Sequence, residues 1–461
     1  MSESVVSVFD ELVATSPPVQ GQNLFDSACV LGGSIAGLLA ARVLSDHARQ
    51  VIIIERDDIS AGARSRPGTP HDQQVHTLLP AGLHWIERWL PGFTEQAREL
   101  GAVLSGTDTS ITAFDGRLQA ATGDERHTLL MASRPFLEAR LRERVTALPN
   151  VRVLHARAAG LEFGDGEVRA VRHSDGVLEA DFVVDAMGRS SRLSEWLGDA
   201  GFDKPRLERL RTPINYATGL FERPTPAADL NVAAAIATYR RGLGTTGVSV
   251  ASLNAIEDDQ WLILVMGYGQ EKPGRTLAEF RAACTELPEA FAQAVRGAPT
   301  RDIAIYHQEE SRRRDFTGLY RFPARLVGLG DSVASFNPAY GQGMSCAALQ
   351  ASCLSAYLTS APDLTVPAAD FFSLQQIAVD AAWRVSTGGD AERLDTAAGI
   401  EPPEEVRRQR ETLRQLLEAT LHDAVVARAL NDISYMLKHP ASMADPALLE
   451  RAATAVPTTS Q

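Results

Sequence analysis

The run Gly32-Gly33-Ser34-Ile35-Ala36-Gly37 joins a short apolar segment, Ala28-Cys29-Val30-Leu31, to a helical stretch at 38–44. In a dinucleotide turn the first glycine makes the tight bend and the second position lets backbone approach a pyrophosphate. The third lets helix and strand pack closely. Here those positions are Gly32, Ser34 and Gly37, so a serine stands at the second, with a hydroxyl able to bond a phosphate oxygen. The helix start, with Gly33, Ile35 and Ala36 around it, adds free N–H donors and a partial positive charge suited to an anion. A second apolar segment, Val51-Ile52-Ile53-Ile54, ends at Glu55, about 20 residues on, where an acid holds a ribose hydroxyl pair. Strand, turn, helix, strand and acid together specify an adenine dinucleotide; a plain structural βα turn is the competing reading.

A second constellation lies far along the chain: Val327-Gly328-Leu329-Gly330-Asp331, then Phe336-Asn337-Pro338-Ala339-Tyr340-Gly341-Gln342-Gly343-Met344. A carboxylate after a strand can accept a hydrogen bond from a polyol. The N–H groups of Gly343 and Met344 would face whatever sits over the next helix start, such as the anionic N1–C2=O edge of a reduced flavin. Taken alone, this is also what a capped helix looks like.

The elements that must hold these groups follow from periodicity. Helical spacing of Phe136, Leu137, Leu141 and Val145 marks a helix over 134–148. Strands are expected at 151–154 and 182–184, the latter running into Asp185-Ala186-Met187-Gly188. A hairpin pair is expected over 161–179, and alternating segments at 215–221, 233–239, 247–253 and 260–266. Residues 366–461 carry helical patterns only. The expected fold is α/β: a Rossmann-like dinucleotide-binding domain from 26–104, 131–204 and 323–365, with an inserted antiparallel-sheet substrate domain from 105–130 and 205–322. A helical C-terminal region over 366–461 and a flexible leader over 1–25, with room for a short helix near 8–13, complete it.

Composition limits the function. The chain has 461 residues, 44% hydrophobic and 22% charged, an ordinary globular balance. Lys and Arg number 45 against 58 Asp and Glu, a net charge of −13 that argues against nucleic acid as the main partner. Cys29, Cys284, Cys346 and Cys353 form no CxxC pair, so no metal is expected and a reducing compartment is the default. No basic N-terminal signal or membrane-length apolar run is present, and a cytoplasmic protein is expected.

The two constellations resemble those of FAD-dependent monooxygenases of the para-hydroxybenzoate hydroxylase type. There the first motif binds the ADP half of FAD and the Gly-Asp segment the ribityl chain and flavin. The family's third motif appears as Asp185-Ala186-Met187-Gly188-Arg189-Ser190-Ser191-Arg192, with Met187 where the family usually has aspartate. A closer resemblance runs through Arg66-Pro67-Gly68-Thr69-Pro70-His71-Asp72-Gln73-Gln74-Val75-His76, Leu90-Pro91-Gly92, Ser133-Arg134-Pro135 and Ala217-Thr218-Gly219-Leu220-Phe221. These look like bacterial flavin epoxidases of polyketide, polyether-type pathways, relatives of squalene epoxidase.

The resemblance implies non-covalent FAD, with Gly188 and Arg134 at the cofactor and Pro338, Gly341, Gln342, Gly343 and Met344 positioning the flavin. Arg56 is a candidate to stack on adenine, and Arg64 and Arg66 lie in a loop able to close over the ring. His76 matches a family histidine near the ring or is a structural histidine. Tyr216, Tyr239, Tyr268 and His307 are pocket candidates, each equally at home in sheet packing. The implied reaction inserts one oxygen atom of O2, through a flavin C4a-hydroperoxide, into a small apolar natural-product intermediate. NAD(P)H would be the reductant, directly or through a separate flavin reductase. An alkene needs no base whereas a phenol is helped by one, and no convincing base stands in 205–322; epoxidation is therefore expected ahead of aromatic hydroxylation. A prenyl-chain reductase and a non-catalytic prenyl or lipid carrier share this fold and are the alternatives.

Overall fold

The computed structural model describes residues 4–60, 62–224, 231–244 and 246–456. A parallel five-stranded sheet carries the dinucleotide turn. Its strand order is Leu326–Gly328, Phe182–Asp185, Phe25–Leu31, Ala48–Glu55, Val151–His155. The strand before the turn is central because Ala28 to Leu31 are apolar on both faces and fully buried, as a parallel strand covered by helices requires. Helix Ile35–Leu44 lies on it and is covered in turn by helices Arg134–Thr146 and Gly343–Thr359.

Small residues let three sequence-distant motifs meet. Gly32 has φ +102°, and a side chain there would sit 2.6 Å from the Ala186 carbonyl oxygen of the third motif. At Gly330, φ +66°, a side chain would sit 2.5 Å from Cβ of Ala36. Only glycine satisfies both the positive φ and the close approach.

The second sheet has eight strands, in the order Ala334–Ser335, Ala304–Asp315, Arg206–Glu222, Gln260–Tyr268, Val248–Ile256, Ala234–Leu243, Ser110–Phe114, Arg117–Leu118. It is antiparallel except where Ser110–Phe114 runs parallel to Ala234–Leu243, a correction to the all-antiparallel expectation. That pairing joins two stretches of sequence far apart, and a hairpin turn cannot dictate its direction. The hairpins of 161–179 form a separate three-stranded sheet.

Helix Ala369–Ala398, 30 residues and about 45 Å long, packs along helix Gly343–Thr359. Helices Glu404–Ala419, Ala424–Ser434 and Pro446–Ala455 share a small core of Leu416, Ala419, Val426, Leu430 and Ala452. They are tied to the 110–130 stretch by the Arg117–Glu418 ion pair and by Arg428 donating to the Thr122 carbonyl.

The expected flexible leader is corrected in part. Val5–Ala14 is a helix capped by Ser4; it buries Phe9 and Leu12, and Asp10 pairs with Lys438 at 2.7 Å. Val8, Phe9, Leu12 and Val13 find a partner surface that only the folded chain supplies, while Val5 stays exposed.

Candidate active site

One cavity of about 2390 Å³ runs from the dinucleotide turn, past the third motif and Asp331, to the loop Pro338–Met344, and on between the eight-stranded sheet and the C-terminal helices. Drug-sized ligands occupy roughly 300–1,000 Å³, so this space exceeds one such ligand more than twofold.

At the turn, Gly32, Ser34, Ile35 and Ala36 line the cavity. Gly33 does not line it: its N–H points to Glu55 Oε2 at 2.7 Å. Gly37 lies beneath, where a side chain would be 1.8 Å from the Gly32 carbonyl oxygen. Glu55 lines the cavity but is also bonded by the Asp57 N–H at 2.9 Å. Arg56 lines it too, its side chain half-exposed; Arg64 is exposed and apart from it. No side chain caps the helix starts at Ile35 or Gly343. Both helices therefore present free N–H groups to the cavity, and Arg134 Nε is buried without a partner there. Two uncapped helix starts, an unpaired arginine donor and cradling glycines fit an extended anionic dinucleotide.

Around the turn sits a buried charge group centred on Glu138, which is 4% exposed. Its carboxylate accepts from Ser34 Oγ at 2.6 Å and Arg66 Nε at 2.8 Å, with Arg142 at 3.5 Å and Arg134 at 3.6 Å. Burial works against charge on Glu138, but Arg134 and Arg66 outweigh it and hold the carboxyl below its ordinary value. Burial likewise opposes the Arg66 cation, and Glu138, Glu55 and Asp57 outweigh it. Ser34 is thus engaged within the protein, accepting from Arg134 Nη2 at 3.0 Å as well. Arg66 braces this group rather than standing free over the cavity. Sequence reasoning missed Glu138, although Arg134, Glu138 and Arg142 at spacings of four share one helix face.

In the third motif, buried Asp185 accepts from the Met187 N–H at 3.0 Å and from the Ser191 hydroxyl, so the acid orders its own loop. Burial raises it to about 6. Gly188 and Arg189 line the cavity, and Arg189 donates to Ser335 Oγ at 2.6 Å. Gly330 and Asp331 line it as well. Burial raises the Asp331 carboxyl, against the opposing pull of Arg189 and Arg134. Pro338, Gly341, Gln342, Gly343 and Met344 complete this end.

The sheet supplies the opposite wall. Tyr216, Tyr239 and Tyr268 line the cavity, joined by Tyr306, whose ring is 6.0 Å from that of Tyr216. The Tyr216 hydroxyl is buried with no partner. His71 and His76 face the same space, ring centroids 5.2 Å apart; burial and Arg134 lower His71 to about 4 and hold His76 well below its ordinary value, so both are neutral. Burial pushes Tyr268 up to about 12 and Tyr216 well above its ordinary value. His307 is a correction: it lines a separate small pocket, is half-exposed and pairs with Glu309 at 2.9 Å. The two-residue alternation of its strand turns His307 away from the face that Tyr306 presents. Leu264 and Met266 from the sheet, and Leu413, Leu417 and Leu421 from the C-terminal region, extend the cavity with apolar surface. Elsewhere Asp124, His127 and Asp432 converge, but Arg126 pairs with both carboxylates. All four cysteines are buried and free. Among the described residues no helix is long and apolar enough to cross a membrane.

Residues 26–362 match a family described as an FAD binding domain. A Mycobacterium tuberculosis protein, Rv3254, is 33% identical over 344 residues, covering 71% of each chain. Protein FixC of Escherichia coli K12 is 29% identical over 191 residues, 40% of this chain and 41% of that one. Three solved structures share the fold. p-Nitrophenol 4-monooxygenase PnpA from Pseudomonas putida has a TM-score of 0.60 at 17% identity, covering 91% of this chain and 99% of its own. PqsL of Pseudomonas aeruginosa, solved with 2-aminobenzoylacetate, has a TM-score of 0.60 at 19% identity, covering 80% and 96%. The flavin-dependent brominase Bmp2 has a TM-score of 0.63 at 12% identity, covering 93% and 98%.

Proposed function

Since the chain belongs to the FAD-binding monooxygenase family, we propose that it inserts one oxygen atom of O2 into a bulky apolar substrate, with alkene epoxidation ahead of aromatic hydroxylation. Bound FAD, once reduced, supplies the oxygen activation; the protein's part is to hold the ring, exclude water and place the substrate. In this reading Gly32, Ser34 and Arg134 face the pyrophosphate. Glu55 faces the adenosine ribose, Arg56 the adenine, Asp331 the ribityl chain, and Gly343 and Met344 the pyrimidine edge.

The observation that carries the reading is the second half of the cavity, beyond Pro338–Met344. Its walls carry aliphatic and tyrosine side chains together with four carboxylates, of which Asp115, Glu392 and Glu418 are held in ion pairs with Arg240, Arg414 and Arg117; the two histidines facing it are neutral and of low proton affinity, and the tyrosines hold their protons. A phenol would find no raised histidine to take its proton, and three of the four carboxylates there are already engaged by arginines; an alkene needs no base.

The test supplies FAD, NAD(P)H with and without an added flavin reductase, labelled O2, and either polyenes or phenols. Label in an epoxide supports the reading. Label in a phenol product moves it to aromatic hydroxylation. Conversion without label makes the protein a reductase, and FAD loss without any conversion of apolar ligands that still bind makes it a carrier.

A further inference from the structure

The family match ends at residue 362, yet a helix beyond it reaches the flavin loop with one face. Ser386, Gly389, Asp390 and Arg393 stand at spacings of three and four on helix Ala369–Ala398, so they form one stripe. Ser386 Oγ accepts from the Asn337 N–H at 3.2 Å. Asp390, 0% exposed, accepts from the Asn337 side-chain amide with both oxygens, at 2.8 and 3.1 Å. Asn337 Oδ1 in turn accepts from the Ala339 N–H at 3.0 Å and so fixes the turn over Pro338–Tyr340. Gly389 leaves room for that turn: a side chain there would lie 2.2 Å from the Tyr340 hydroxyl. The guanidinium of Arg393 lies over the ring of Tyr268, 4.2 Å from its centroid, and the Tyr268 hydroxyl accepts from the same Asn337 amide at 3.2 Å.

A glycine such as Gly389 in a helix interior weakens the helix relative to alanine, and a wholly buried carboxylate is costly unless it is paired. Among the described residues, Asp390 has one donor, the Asn337 amide, and no cation bonded to it. Helix stability explains neither feature. Both are accounted for by what the stripe touches, the loop that opens helix Gly343–Thr359 and the tyrosine of the sheet wall.

We propose that Asp390 is a positioning residue for the cofactor. Acting through Asn337, it sets the Pro338–Tyr340 turn, and so Gly343 and Met344, against the flavin, while Arg393 and Tyr268 tie that turn to the substrate wall. The C-terminal helix thereby completes the cofactor site. The proposal rests on the assignment of the flavin ring to Pro338–Met344.

The experiment compares the full-length wild type with Asp390→Ala, Asp390→Asn, Asn337→Asp and the exchange Asn337→Asp with Asp390→Asn. Three quantities are read: FAD affinity by fluorescence titration, the absorption spectrum of bound flavin, and the melting temperature of the FAD-free protein. A positioning role gives Asp390→Ala at least tenfold weaker FAD binding and a shifted flavin spectrum, with the FAD-free melt little changed. Asn337→Asp sets two carboxylates face to face and does the same. The exchange restores an amide–carboxylate pair, and with it affinity and spectrum to within about threefold of wild type. If the FAD-free melt drops in step with affinity and the spectrum stays put, or if the exchange rescues nothing, Asp390 is only a structural residue and the proposal fails. Should Asp390→Ala not fold, Asp390→Asn and the exchange decide alone. Absence of FAD binding by the wild type would instead remove the flavin assignment itself.

Discussion

Glu138→Gln tests whether the arginines at the dinucleotide turn are held for an anionic ligand. In the FAD-free protein three guanidiniums, those of Arg66, Arg134 and Arg142, lie within 3.6 Å of the Glu138 carboxylate, their side chains 8–9% exposed. Glu55 and Asp57 compensate Arg66, at 3.3 and 2.9 Å, and neither is paired with Arg134 or Arg142. Removing one partner of a buried ion group costs about 3–5 kcal/mol, because the remaining charges stay buried. Glutamine still accepts from Ser34 Oγ, so the loss belongs near the lower end, about 3 kcal/mol, a large part of a typical folding stability of roughly 5–15 kcal/mol. A bound pyrophosphate brings negative charge back beside the same arginines, so the FAD-saturated variant should lose markedly less than the FAD-free one. Urea unfolding of both forms at pH 7.5 measures the two losses. The acid side carries a second signature. The folded-state pKa of Glu138 lies below the ordinary 4.5, so its contribution is present above 4.5 and is lost as pH falls through the folded value. That part of the acid slope should vanish in the variant. A loss under 1 kcal/mol in the FAD-free protein, or equal losses with and without FAD, would refute the reasoning.

Asp331→Ala should weaken FAD retention by the worth of a charge-assisted hydrogen bond, about 1.5–3 kcal/mol; unchanged flavin absorbance after gel filtration would remove Asp331 from the site. Tyr216→Phe deletes a hydroxyl that bonds to nothing among the described residues. Stability should therefore stay within about 0.5 kcal/mol by thermal melting, while KM rises severalfold for a substrate bearing a polar group near the reacting carbon. Burial raises Asp390 from 3.8 to about 6. Its contribution to stability is thus full below 3.8 and is lost as pH rises through 6, where the charge must be buried facing Arg393, Tyr268 and Tyr340. Asp390→Asn should accordingly gain stability relative to wild type at pH 8 but not at pH 4, as read from melts of the FAD-free protein.

The dinucleotide turn was legible from residues alone because its chemistry is local. Gly37 is demanded by a close backbone approach to Gly32 within one βαβ unit, and the apolar runs on either side have a length and content that only buried strands accommodate. The Gly330-Asp331 segment was legible as an apolar strand running into a glycine and an acid, and the helical character of 366–461 followed from periodicity. What the chain order could not convey is which side chains meet across elements. Glu138 and Arg66 are joined through a fold that brings 66, 138 and 34 together. His307 looked like a wall residue until the strand register turned Tyr306 inward and His307 outward. The leader is ordered by a surface that distant segments supply, against which Phe9 and Leu12 are buried. Asp390 and Gly389 sit in a helix with no motif of its own, and they acquire meaning only because Asn337 and Tyr340 arrive from another part of the chain. Local backbone constraints are written in neighbouring residues; pairings of buried charge, and the direction a strand's side chains face, depend on packing between distant segments, and these the tertiary structure alone decided.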